Sequence, residues 1–253
     1  MNLTTYIAMD FWRNLRNAGN SFFVIVLPTA LFLFFGASMD WSDGPVQDGN
    51  VSAWIMIGIA CYGAAMATAS LAGAAAVELQ QGWGRQLSLT AMPPGAFVGA
   101  KTVISLAMAA LPVIVLNLAG VLTIADMPLG TWLAAAALTI LGAAPFALYG
   151  LAIGLTFRSD AAVGTASGIL VIFSFLGNGF MPLDGVLLDI GRLTPMYGLV
   201  ALARYPLTDG MLVGMAGPGG TDPLWMVLAN VLAWTLIFGA LCLLAQRRRT
   251  RRQ

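Results

Sequence analysis

Six apolar stretches, each about long enough to cross a bilayer, alternate with short polar segments, and the charges are sorted between those segments. With the first loop set outside and the sides alternating, ten of the 12 Lys and Arg residues fall inside: Arg13, Arg16, Arg85, Lys101, Arg158, Arg247, Arg248, Arg249, Arg251 and Arg252. Only Arg192 and Arg204 fall outside. The acidic residues run the other way, with Asp10, Glu78 and Asp160 inside and the remaining eight outside. Lys/Arg asymmetry is the quantity that orients a polytopic chain, so both termini are expected in the cytoplasm.

The expected architecture is an all-α membrane protein forming one transmembrane domain over residues 1–253. Its spans run over about 21–38, 52–77, 102–125, 131–157, 161–180 and 223–245. Residues 1–20 mix Leu3, Tyr6, Ile7 and Phe11 with Asp10, Arg13 and Arg16, and Trp12 suits headgroup depth, so this stretch reads as an interfacial helix. Span 1 contains Pro28, which should kink it unless neighbouring helices satisfy the freed carbonyl. No small-x-small cleavage site follows span 1 before Asp40, so it reads as a retained span rather than a signal peptide. Span 2 is dense in Ala and Gly, which lets neighbouring helices approach closely. Residues 78–100 form a cytoplasmic segment with room for a short amphipathic helix near Trp83–Thr90, stopped by Pro93-Pro94. Between spans 5 and 6, residues 181–222 carry two amphipathic pieces, Leu183–Leu193 and Met196–Leu207, each too short to cross. They read as re-entrant helices in the outer leaflet.

Composition removes several functions. Hydrophobic residues make up 59% of the chain and charged residues 9%, leaving no room for a soluble domain. The basic residues form no folded basic face, so no nucleic-acid partner is expected. His is absent, and with it the commonest general base and metal ligand. Gly164-Thr-Ala-Ser-Gly168 therefore reads as helix packing rather than as a serine nucleophile. Cys61 and Cys242 lie in separate spans and read as core residues, and no metal site is expected. Gly95–Thr102 has the outline of a phosphate-binding loop, but Ala100 stands where glycine is needed before Lys101, which reads instead as an anchor for span 3. No ionisable residue lies mid-span, which disfavours a proton-coupled carrier. The C-terminal RRRTRR reads as a topology anchor before a lipid-recruiting one.

Glu78 has two readings, a carboxylate solvated in the interface or a fixed partner for a basic group such as Arg85 or for a docking protein. Thr68, Ser70, Asn117, Asn178 and Asn230 are in-span polar residues that either bond between helices or line a path. Phe22, Phe23, Phe32, Phe173 and Phe175 are candidates for an apolar wall.

Taken together, these features resemble the permease subunits of ABC-2 type ATP-binding cassette transporters. The resemblance rests on Arg13-Asn-Leu-Arg16-Asn17 in the opening helix, Pro28, Glu78 closing span 2, and then Gly82, Leu87, Thr90 to Pro93 and Lys101. The outer segment adds Gly179, Pro182, Thr194-Pro195 and Arg204. It implies six spans and an exporter-like fold, pairing with an identical or homologous second permease, and two copies of a separate nucleotide-binding ATPase docked from the cytoplasm. ATP and Mg would sit on that partner, so this chain is expected to be no enzyme and to hold no cofactor. The family's coupling helix maps onto Glu78–Pro94, with Glu78, Gly82, Trp83, Arg85, Leu87 and Pro93 as contacts and Arg158, in the short loop Phe157–Asp160, as a second. Gln80-Gln81 stand where charged residues are common in that family.

The implied cargo is a hydrophobic or amphipathic compound (drug, antibiotic or lipid), with Phe22, Phe23, Thr68, Asn117, Phe173, Phe175 and Asn178 along its path. Two alternatives stay open. One is export of lipid-linked glycan or teichoic-acid precursors, favoured by Trp41, Trp54 and Trp225 near the outer face. The other is a non-transporting scaffold or signalling subunit. Ala/Gly/Arg-rich usage with one Lys fits a GC-rich bacterial genome, hence a bacterial plasma membrane.

Overall fold

In the computed structural model, which describes residues 3–83, 94–214 and 217–250, most of the chain is helical. Helix α1 (Leu3–Leu15) precedes an apolar rod made of α2 (Ala18–Ser21), α3 (Leu27–Leu31) and two π-helical stretches, Phe22–Val26 and Phe32–Ala37. The bundle continues with α4 (Val51–Glu78), α5 (Pro94–Val121), α6 (Leu129–Gly142) and α7 (Ala144–Phe157). It closes with α8 (Asp160–Leu176), α9 (Gly185–Gly191), α10 (Pro195–Thr208) and α11 (Leu224–Thr250).

Among the described residues, five segments are long and apolar enough to cross a bilayer: Ala18–Ala37, Val51–Gln81, Ala100–Val121, Leu129–Phe157 and Leu224–Arg247. This is a membrane-embedded, mostly helical protein. The expected fifth span, 161–180, is the 17-residue α8. It ends early because the backbone leaves helical geometry at Gly177 and turns left-handed at Asn178, φ 59°. At about 1.5 Å per residue α8 reaches only about 26 Å.

Helix α4 is the hub. Its most apolar window is 89% buried, against 17% for the windows of the first rod and of α11. A helix apolar on every side belongs inside a bundle, and α4 packs against α5, α7, α8 and α10. Small residues set the spacing. A Cβ on Gly150 of α7 would strike the Ala69 carbonyl of α4, so only glycine lets these two backbones meet.

The proline in the first rod acts differently from a simple kink. Its residues stay right-handed, and π-helical turns flank α3 on both sides. Pro28 has no N–H to offer Val24, whose carbonyl instead faces Gly63 of α4, 3.2 Å from where a Cβ would stand. Thr29 Oγ1 donates to the Ile25 carbonyl one turn back, at 2.7 Å. The α6–α7 junction is treated similarly. Pro145 opens α7, and Thr68 Oγ1 of α4 donates to the Ala143 carbonyl at 3.2 Å.

Two small antiparallel hairpins, absent from the all-α expectation, close one end of the bundle. They are β1 (Pro45–Val46) with β2 (Gly49–Asn50), and β3 (Met211–Gly214) with β4 (Gly217–Thr221). Asn50 fixes the first of them. Its Oδ1 caps the Ala53 and Asp126 N–H groups while its Nδ2 donates to the Ile124 carbonyl.

Candidate functional site

At the end of the bundle away from the hairpins, four charges from three helices close into a knot. Tyr6 and Asp10 lie one helical turn apart on the buried side of α1. Lys101, two turns into α5 and at the very start of its apolar span, places Nζ 2.9 Å from Asp10 Oδ2 and 2.9 Å from Glu78 Oε2. Arg13 reaches Asp10 Oδ1 at 2.7 Å and bonds Glu78 Oε1 as well. Two acids and two bases cancel. Asp10 and Lys101 are nearly buried, at 5% and 8% side-chain exposure, so each depends on the other for its charge. Desolvation opposes the Arg13 charge, but Asp10 and Glu78 more than offset it and hold the guanidinium above its ordinary pKa.

Glu78 is thus a fixed partner for basic groups, supplied by Arg13 and Lys101. Lys101, read from the sequence as a lone anchor, is a buried ion-pair partner because its neighbours in space are 23 and 91 residues away in the chain. The Gly95–Thr102 stretch lies inside α5, and a phosphate loop there is excluded. Trp12 is exposed on α1, and Arg16 follows that helix, also exposed.

Of the remaining coupling residues, Arg85, Leu87, Pro93 and the side chain of Trp83 lie outside the described residues, and Gly82 is described by its backbone alone. A π-helical turn, Leu79–Trp83, continues α4, and Gln80 Nε2 ties it to the Gly154 carbonyl of α7 at 3.0 Å. Arg158 is exposed in the left-handed conformation, φ 55°, that ends α7, and Ser159 then caps α8.

The hairpin end carries two further constellations. Arg204 on α10 is 3% exposed, and its Nε donates to the Trp54 carbonyl at 2.9 Å. Its two remaining nitrogens donate to the Asn178 and Gly179 carbonyls, and Cζ lies 3.3 Å from the Trp54 ring centroid. The cation therefore satisfies the carbonyls of the turn just past α8 and pins that turn to the first turn of α4. Gly58 has no room for a Cβ because Gly179 and Arg204 fill the space. Asn178 turns the chain, and its Oδ1 accepts from Leu183 N at 2.9 Å, just past the half-buried Pro182.

Alongside, Asp222 is buried and accepts from Tyr197 OH and, at 2.7 Å, from Arg192 Nη2, which also reaches Asp189 through Nη1. Thr194 caps α10 and Pro195 opens it; α9 and α10 meet at 97°.

The proposed path residues do not converge on one channel. Thr68 and Asn117 spend their side-chain donors on backbone carbonyls, and Phe32 is fully buried. Phe22 and Phe23 form an edge-to-face pair at the knot end, about half exposed, whereas Phe175 meets Phe180 edge-to-face towards the hairpins and Phe173 packs on the core. Trp54, expected at the outer face, is buried beneath Arg204, while Trp41 and Trp225 are exposed. Cys61 and Cys242 are buried free thiols. Asp10, Tyr197 and Asp222 were missed from the sequence. An acid one turn from Tyr6 on an otherwise apolar face was the available signal for Asp10.

Fold and site together define a polytopic helical membrane protein with one charge knot and one buried arginine clamp. A scan against models of known protein families finds no match, and a search of curated proteins also finds none.

Proposed function

We propose that the chain is the membrane-spanning subunit of an ATP-driven exporter of the ABC-2 type, with six crossings, both termini in the cytoplasm of a bacterial cell and re-entrant α9–α10. Power comes from two copies of a separate nucleotide-binding subunit, which hold the ATP and Mg, and a second permease completes the pathway. The observation that carries this reading is the knot. The segment between Glu78 and Lys101 is the one the resemblance assigns to coupling, and both of its flanking helices are locked by ion pairs to each other and to α1. A push on that segment therefore reaches α1, α4 and α5 together. Packed interfaces switch between discrete arrangements rather than stretching, so the knot would pass the push on as a rigid-body step. The π-turns around Pro28 give the first rod a place to change register.

The test is to purify the full chain in nanodiscs from its native membranes and assay vanadate-sensitive ATP hydrolysis. A nucleotide-hydrolysing subunit should copurify, and E78Q and W83A should insert normally but drop its turnover to background. Absence of any such companion, or unchanged turnover in both variants, overturns the proposal.

A further inference from the structure

Between the end of α1, α4 and the start of α8 lies a cavity of about 430 Å³, within the range of sites that take drug-sized ligands. Its floor is apolar, formed by Phe23, Met66, Leu71 and Val163. Its rim is polar and asymmetric. Asn14, Asn17 and Asn20 supply amides on one side, and Asp160, exposed at the first position of α8, supplies the single charge among the lining residues. No Lys or Arg lines it. Asp160 makes no ion pair among the described residues, although Arg158 is two positions away.

Ser167 gives the second observation. It is 3% exposed, lines the cavity and, alone among the buried serines of α8, has a hydroxyl with no hydrogen-bond partner among the described residues. Ser174, about two turns further on, donates to the Leu170 carbonyl at 2.8 Å, so a helical serine here has a bond of its own available and Ser167 does not use it. The Ser167 Oγ is reached from the cavity rather than sealed in the core, so a ligand or water there can complete its hydrogen bonding. The sequence read Ser167 as simple helix packing; its placement gives it a polar task.

We infer that this cavity binds an amphipathic cation, with its apolar body on Phe23 and Met66, its positive charge toward Asp160 and a polar group within reach of Ser167. A lone carboxylate over an apolar, aromatic-lined floor attracts a lipophilic cation and repels an anion of the same shape. The inference deepens the export reading, on which it rests only for calling the occupant a cargo; binding itself needs no ATPase.

The experiment therefore uses the full chain alone in nanodiscs and two xanthene probes of similar size, cationic rhodamine 6G and anionic fluorescein. Rhodamine 6G should bind saturably and fluorescein should not. D160N should weaken rhodamine 6G about tenfold, as loss of one partly desolvated charge pair does, and D160E should restore it. G164F should abolish binding, because a side chain there enters open space and fills the cavity without a clash at Cβ. Equal binding of both probes, or a D160N affinity within about twofold of the parent, overturns the charge assignment. Undiminished binding in G164F overturns the location. Binding as expected in a chain that has no ATPase companion would leave the cavity standing and remove the export reading.

Discussion

Lys101 carries its ammonium on a four-carbon stem into the space between Asp10 and Glu78, and it is the only Lys in the chain. Removing it leaves Asp10 nearly buried with Arg13, itself half in solvent, as its one remaining counterion. K101M should therefore cost about 3 kcal/mol, the low end for breaking a buried pair, because Arg13 still partly compensates Asp10. D10N should cost less, because Lys101 keeps Glu78. The double variant K101M/D10N should be more stable than the two single losses predict, since it removes both members of one pair. Thermal unfolding of the four proteins in one detergent checks this, and strictly additive losses would show that the pair is not coupled. A sequence reader sees Glu78 and Lys101 as two polar residues bracketing a loop and can guess at a pairing. The third member, Asp10, is 91 residues from Lys101, and no local pattern carries that distance.

At the scale of the element, the sharp corner between α9 and α10 shows which part of an architecture is written locally. Thr194-Pro195 announces a helix start, since Thr caps and Pro suits the first turn, and the sequence reading placed a break there. What holds the corner is remote. The carbonyls of Arg192 and Thr194 accept from Asn230 Nδ2, at 2.7 and 3.2 Å, and the Leu193 carbonyl accepts from Trp234 Nε1 at 3.0 Å. Both donors sit one turn apart on α11. N230L keeps α11 apolar and of similar bulk but strips two carbonyls of their donor, so it should destabilise by about 1–3 kcal/mol. W234F should do less, because the Trp234 bond is exposed. The melting temperatures of the two variants, compared in the same detergent, report the difference; equal shifts would assign the corner to packing alone. The π-turns of the first rod were not legible for a related reason. Pro28 announces a broken ladder, but whether the chain kinks or widens depends on Gly63 of α4, which lies against the freed Val24 carbonyl.

Over the whole molecule the charge sorting that opened the sequence reading gains force once side chains are placed. The two basic residues expected outside are both spent internally: Arg204 is buried against carbonyls, and Arg192 is held by Asp222 and Asp189. The hairpin end thus offers no free cation among these two. The knot end keeps Arg16 and Arg158 exposed, neither in an ion pair among the described residues, in addition to the balanced knot. The orienting asymmetry is therefore steeper than a residue count implies, and short loops are where it acts. Single cysteines report it cleanly, because Cys61 and Cys242 are both buried. With those two replaced by serine, D43C in the loop before β1 should react with a membrane-impermeant maleimide on intact cells. R158C in the two-residue turn between α7 and α8 should react only after the membrane is opened. Reversal of the two would put the knot outside, where no cytoplasmic ATPase can reach it, and export powered from that end would be ruled out. Labelling of both sites on intact cells would remove one of the three crossings between them, Val51–Gln81, Ala100–Val121 or Leu129–Phe157, since an odd number of spans must separate loops on opposite sides.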